Sequence, residues 1–177
     1  HPVVTDLIAT DAQVNAFRHD LGIGASPLAL ILPGSRNSEI SKLMAPFGET
    51  VALARQSMPD LQFVLPAAPQ VVGAVQESVL DWPIRPIILD HHELGEAGYE
   101  AAKHAAFGAA DVALAASGTV SLELAANDTP MVIAYDMGWV SRHIIGRMLI
   151  TDTVTLANLV TDTRIIPEFI GKNCQAD

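Results

Sequence analysis

The chain has 177 residues, which fits one domain at the usual size of roughly 100–200 residues. Half of it is apolar and only 17% is charged, below the ~25% typical of soluble domains, so it can bury a full core and is not intrinsically disordered. Twenty acidic against ten basic side chains give a net charge of −10. That balance excludes the basic footprint of a nucleic-acid binder and a polybasic membrane anchor, and leaves a hydrophobic contact with lipid open.

The elements alternate along the chain. An amphipathic helix over Asp11–Leu21, stopped by Gly22, precedes a first strand at Leu28–Pro33. Ile40, Leu43, Met44, Phe47, Val51 and Ala54 then follow helical spacing, with Pro46 expected to kink the helix or start a new one. Strands at Gln62–Pro66, Pro86–Asp90, Val112–Ala116 and Pro130–Tyr135 alternate with helices at Val71–Leu80, Ala97–Phe107, Thr119–Asn127 and Gly138–Ile150. None of the strands alternates polar with apolar residues. Unbroken apolar strands are what a parallel sheet covered on both faces requires. The expected fold class is therefore α/β, a Rossmann-like, doubly wound, mainly parallel sheet forming a single domain over 1–177.

The longest uncharged stretches, Leu21–Ser35 and Leu61–Gln76, contain proline and glycine, and both are shorter than the roughly 18 apolar residues of a membrane span. With no signal segment legible and a single cysteine, Cys174, a reducing, cytoplasmic setting is expected and the thiol is read as incidental.

In doubly wound sheets ligands sit beyond the C-terminal strand ends. Two strand-to-helix loops there carry chemistry. The first, Gly34-Ser35-Arg36-Asn37-Ser38-Glu39, combines a tight turn, two serines able to cap the next helix, and a guanidinium. Free N–H groups at a helix start suit a phosphate, and Arg36 would add a permanently charged, bidentate clamp. Alone, three residues are a short signature, and an ordinary cap with a solvated arginine is the simpler reading. The second loop, Ser117-Gly118-Thr119, offers hydroxyls and amides for a diphosphate without a metal. Glu123, one turn into the following helix, either accepts two ribose hydroxyls or is a solvated helix glutamate. Neither loop matches G-x-G-x-x-G or the P-loop. His91-His92-Glu93 is read as a solvated loop rather than a metal site, because adjacent residues rarely face one ion, and His104 and His143 as structural. Trp139, Arg142 and Arg147 mark a helix that packs in the core or meets lipid or a partner.

In order, Leu32-Pro33-Gly34-Ser35-Arg36-x-x-Glu39-Ile40, Ala116-Ser117-Gly118-Thr119-Val120-Ser121-Leu122-Glu123-Leu124, Thr129–Tyr135, and Leu156-Ala157-Asn158-Leu159-Val160 followed by Ile166-Pro167-Glu168-Phe169 resemble the lipid-A-disaccharide synthase family. His1-Pro2 is similar to its G-H-P segment, and Ala157 departs from a proline usual there. The resemblance implies the C-terminal, donor-nucleotide half of a two-domain GT-B inverting glycosyltransferase, with the acceptor-binding N-terminal domain and its base outside this chain. The whole enzyme would transfer 2,3-diacylglucosamine from UDP-2,3-diacylglucosamine to 2,3-diacylglucosamine 1-phosphate, giving lipid A disaccharide 1-phosphate and UDP. By the same resemblance, Gly34, Ser35, Arg36, Ser117, Gly118 and Thr119 would lie at the UDP phosphates, Arg36 stabilising the leaving group. Glu123 would hold the ribose, Asn158 would line the nucleotide pocket, and Glu39 is a further candidate. No cofactor or metal is expected, and the acyl chains imply peripheral contact with the inner membrane. Two alternatives are another GT-B enzyme of UDP-N-acetylglucosamine (the peptidoglycan glycosyltransferase or the 2-epimerase) and a non-catalytic nucleotide-sensing module.

Overall fold

The computed structural model describes residues 8–136 and 153–176; the expected helix at Gly138–Ile150, with Trp139, Arg142, His143 and Arg147, lies outside them. Helix α1 (Asp11–Asp20) opens on a capping box in which Gln13 N–H donates to Thr10 Oγ1 and Thr10 N–H to Gln13 Oε1, and Gly22 follows it at φ 65°. There follow β1 (Leu28–Leu32), α2 (Asn37–Ser57), β2 (Gln62–Pro66), α3 (Val72–Ser78) with a 3-10 turn at Val79–Asp81, β3 (Ile87–Leu89), α4 (His91–Ala109), β4 (Val112–Ala116), α5 (Val120–Ala126), β5 (Met131–Tyr135), α6 (Leu156–Thr161) and β6 (Glu168–Ile170).

The strands form one sheet in the order β3-β2-β1-β4-β5-β6, every pairing parallel. This is the doubly wound arrangement anticipated, with the strand order reversing between β1 and β4. All five residues of β1 are buried because each face is covered. Leu28, Leu30 and Leu32 join Phe17, Tyr99, Phe107 and Leu124 on one face, while Ala29 and Ile31 meet Ile40, Leu43, Phe47 and Val51 on the other. The two-residue period of the strand thus feeds two separate apolar cores from one run of sequence.

Four features differ from the sequence expectation. Pro46 does not start a new helix; it sits inside α2, where its ring nitrogen cannot donate, and the Thr50 hydroxyl bonds to its carbonyl at 2.8 Å. His91-His92-Glu93 is not a loop but the first turn of α4, because the Asp90 side chain accepts the His92 amide at 2.8 Å; a break at Gly95 (φ 70°) separates this turn from the remainder. The sheet also has a sixth strand: β6 pairs with β5 in the register Ile133↔Glu168, Ala134↔Phe169, Tyr135↔Ile170. Leu156–Thr161, read only as a motif, is helical.

α2 packs so closely on the 3-10 turn that a Cβ on Gly48 would lie 2.7 Å from the buried Trp82 ring. Gly48→Ala is expected to destabilise the fold by about 1–2 kcal/mol, since overpacking costs ~1–3 kcal/mol and helix propensity returns ~1 kcal/mol. A denaturation midpoint equal to or above that of the unaltered protein would contradict this packing.

A cleft at the strand reversal as candidate functional site

Where β1 and β4 diverge, their C-terminal loops open onto a cleft of about 560 Å³. The register Leu32↔Ala115 brings the two loops that follow these strands out of the sheet side by side. The cleft is lined by Gly34, Ser35, Arg36 and Glu39 from the first loop, by Ser117, Gly118, Thr119 and Glu123 from the second, by Tyr99, Glu100, Lys103 and Phe107 from α4, and by Val154 and Leu156. Eight of the nine expected site residues therefore line one cavity. Asn158 does not.

The first loop is organised by a carboxylate. Ser35 N–H donates to Glu39 Oε2 at 2.8 Å, Arg36 N–H to the same oxygen at 3.2 Å, and Arg36 Nη1 to Glu39 Oε1 at 2.8 Å. Gly34 at φ 109° makes room: a Cβ there would lie 2.8 Å from the Glu39 Cβ. The helix start is thus capped from the N3 position by Glu39, and not by the hydroxyls of Ser35 or Ser38, because the chain turns its amides inward onto that carboxylate. Gln70 Nε2 donates to Ser35 O at 3.0 Å and ties the neighbouring loop to this one. The Arg36 side chain remains 75% exposed while Glu39 is 13% exposed, so the cation projects from the loop and the anion is set into it.

In the second loop Ser117 N–H donates to Ala134 O at 3.1 Å and its hydroxyl to Val154 O at 2.8 Å. Ser121 donates its hydroxyl to Gly118 O at 3.0 Å. Among the described residues the amides of Gly118 and Thr119 and the Thr119 hydroxyl form no hydrogen bond, and nothing crowds Gly118. Glu123 is not a freely solvated glutamate: Lys103 Nζ lies 3.3 Å from its Oε2.

Asn158 is buried behind the cleft. Its amide donates to Ile166 O at 3.1 Å and to Glu168 Oε1 at 3.3 Å, and its Oδ1 accepts the Ile166 amide at 3.2 Å. It holds the segment that places Val154 and Leu156 in the wall. Glu168 completes this clamp, accepting the Thr155 amide at 2.9 Å, the Val154 amide at 3.3 Å and the Thr153 hydroxyl.

Burial alone would push the Glu168 carboxyl up, but the bonds from Thr153, Thr155 and the two backbone amides outweigh it and hold it below 4.5. Tyr99 moves the other way, pushed up to about 12, first by burial and then by the charges of Glu100, Glu123 and Asp90. Tyr99, Lys103 and Phe107, spaced i, i+4, i+8, share the face of α4 that meets the cleft; that spacing was the signal available in sequence for residues the motifs do not mark. Asp90, His91 and His92 bring ligand atoms within 4.8 Å of one another, closer than adjacent residues were expected to manage, while the Asp90 oxygens accept from His92 N–H and Gln76 Nε2. No described helix is long and apolar enough to cross a membrane.

The solved structures that this one resembles include a glycosyl transferase family 9 protein from Veillonella parvula (14% identity, TM-score 0.56, covering 88% of this chain and 51% of that one). They also include Escherichia coli ADP-heptose lipopolysaccharide heptosyltransferase II (14%, TM-score 0.56, 73% and 39%). The class that the fold defines is a Rossmann-like, doubly wound parallel α/β domain, an architecture shared with these two structures. Within that class, the lipid-A-disaccharide synthetase model matches residues 1–177, and the chain belongs to that family. The lipid-A-disaccharide synthase of Ruegeria pomeroyi is 49% identical over 98% of this chain, and that of Nitrobacter winogradskyi is 44% identical over 98%. The chain spans 43% and 41% of these relatives' lengths.

The Glu168 clamp has a pH signature. A carboxyl whose pKa is lowered by folding contributes stability above its ordinary value of 4.5 and loses it as pH falls through the lower folded value. Glu168→Gln is expected to lower the melting temperature at pH 7, with the gap to the unaltered protein closing below pH 4.5. A gap independent of pH would show that the charge of Glu168 does not matter.

Proposed function

We propose that residues 1–177 form the single donor-nucleotide domain of a lipid-A-disaccharide synthase. It would bind the UDP of UDP-2,3-diacylglucosamine, while the 2,3-diacylglucosamine 1-phosphate acceptor and the base that activates it belong to the other part of an enzyme more than twice this length. The observation that carries this reading is the convergence of the Gly34–Arg36 loop, the Ser117–Thr119 loop and Glu123 on one cleft at the strand reversal. Family membership favours this reaction over the peptidoglycan glycosyltransferase, the 2-epimerase and a nucleotide-sensing module.

In this reading the unspent amides of Gly118 and Thr119 and the Arg36 guanidinium take the diphosphate. Inversion leaves negative charge on departing UDP. Arg36 would stabilise that charge as it grows, without a metal. Glu39 shapes the loop so that Arg36 stands at the mouth, and Arg36 trades the Glu39 carboxylate for phosphate when the donor arrives. Glu123 accepts the two ribose hydroxyls. The acyl chains of donor and acceptor bring the whole enzyme to the inner-membrane surface, and the 177-residue chain alone binds UDP without forming disaccharide.

Titration calorimetry on the chain tests the phosphate assignment. Arg36→Ala is expected to weaken UDP binding by about 1.5–3 kcal/mol, the size of a hydrogen bond to a charged group, and to leave uridine binding nearly unchanged. Arg36→Lys should restore only part, since an ammonium lacks the bidentate fork. Equal losses for uridine and UDP would remove Arg36 from the phosphates.

The ribose assignment makes a separate prediction. Glu123→Ala should weaken UDP binding more than Glu123→Gln does, and both losses should largely vanish with 2′-deoxyUDP as ligand. If the unaltered protein binds UDP and 2′-deoxyUDP equally, Glu123 does not hold the ribose.

A further inference from the structure

The cleft contains two charged side chains that none of the motifs marks, Glu100 and Lys103, and the lysine is fixed by its neighbours from three sides. Lys103 Nζ lies 3.3 Å from Glu123 Oε2, 3.8 Å from Glu100 Oε2 and 5.6 Å from the centroid of the buried Phe107 ring. The lysine is 27% exposed, as is Glu123, so this ion pair is screened less than a surface pair and constrains its geometry more. Phe107 holds the ammonium by its ring face and gives the aliphatic stem a surface to lie along.

Two carboxylates facing one ammonium form a balanced arrangement only while the ammonium is there. Without it, Glu123 and Glu100 would repel each other, and Glu123 would be free to swing to solvent. The same carboxylates bear on Tyr99, whose hydroxyl is pushed up to about 12, first by burial and then by Glu100, Glu123 and Asp90. A carboxylate that must accept two vicinal hydroxyls has to be ionised and fixed in direction, and Glu123 reaches the cleft from a helix only seven residues long. Its fixation comes from the neighbouring helix.

We infer that Lys103 is a positioning residue for nucleotide selection: by clamping Glu123 against α4, it sets the carboxylate that distinguishes a ribonucleotide from a deoxyribonucleotide. The inference rests on the uridine-nucleotide reading of the cleft. Lys103 then acts through Glu123 and not on the diphosphate, a distinction that a double-mutant comparison exposes.

The experiment measures UDP and 2′-deoxyUDP affinities of the 177-residue chain and its Lys103→Met, Lys103→Arg, Glu123→Gln and Lys103→Met/Glu123→Gln variants, with thermal melting of each to establish that it folds. Lys103→Met keeps the apolar stem and removes the charge. It is expected to weaken UDP about tenfold, the scale of coupling between charged neighbours, and to bring the ratio of the two affinities close to one. In the Glu123→Gln background the same change should cost less than twofold. Lys103→Arg keeps the charge, should retain most of the selectivity, and is the variant that decides the matter if Lys103→Met fails to melt as a folded protein.

Two results overturn the inference while leaving the cleft's assignment intact: Lys103→Met binding UDP as the unaltered protein does, or losing as much in the Glu123→Gln background as outside it, the mark of a direct phosphate contact. An unaltered chain that binds no uridine nucleotide overturns the reading of the cleft and the inference with it.

Discussion

The pairing of β1 with β4 is the constraint on which the cleft depends. These strands lie next to each other in space but not in sequence, and the sheet winds outward from them in opposite directions. The helix that directly follows β1 packs on one face and the helix that directly follows β4 on the other, so their first turns separate and leave room between them. Leu32 opposite Ala115 fixes how the two departing loops face each other. A shift of one residue in this register would exchange the buried faces of β4 and move the Ser117 loop relative to the Gly34 loop. The alanines of β4 fit this position: Ala113 and Ala115 are wholly buried and add little bulk beside the leucines of β1.

Carboxylates shape the site on three sides, each in a different way. Glu39 is set among the amides of its own loop, Glu123 is held by a lysine from another helix, and Glu168 gathers hydroxyls and amides from a distant stretch of chain. In each case acceptor oxygens fold the backbone around themselves, an economical way to order irregular segments that have no ladder of their own. The cations of the cleft are correspondingly engaged: Arg36 with Glu39, Lys103 with Glu123 and Glu100. An anionic ligand would exchange partners there instead of meeting unpaired charge.

The central strands were legible because burial on both faces leaves an unbroken apolar run, and β2 and β4 begin and end where that run does. Strand β6 was not. Its three residues include a glutamate, and a short edge strand has too little sequence to show a pattern. The start of α4 was obscured by two histidines and a glycine that read as a loop, although Asp90 in front of them was a cap in plain view. The two strand-end loops and Glu123 could be picked out in the sequence because small residues, hydroxyls and charge gather there, and the cleft brings them together. The burial of Asn158 was not, since a motif does not say which side of the chain faces inward. Lys103 was hidden for a related reason: its partner Glu123 lies on the next helix, and only the packing of α4 beside α5 joins them.

The placement of the Glu168 clamp has a consequence for how the cleft opens. Backbone hydrogen bonds at a sheet edge break and re-form more readily than those at its centre, and β6 is a three-residue edge strand. When β6 lifts from β5, Glu168 leaves with it, and the Thr153–Thr155 stretch loses the oxygens that hold its amides. Ser117 would then be bonded to a carbonyl that is no longer anchored. Amide hydrogens of Val154 and Thr155 should therefore exchange with solvent in the same event as those of β6, ahead of the β1–β4 centre. The wall of the cleft is only as durable as a short edge strand of the sheet, and it can be loosened without disturbing the core that carries it.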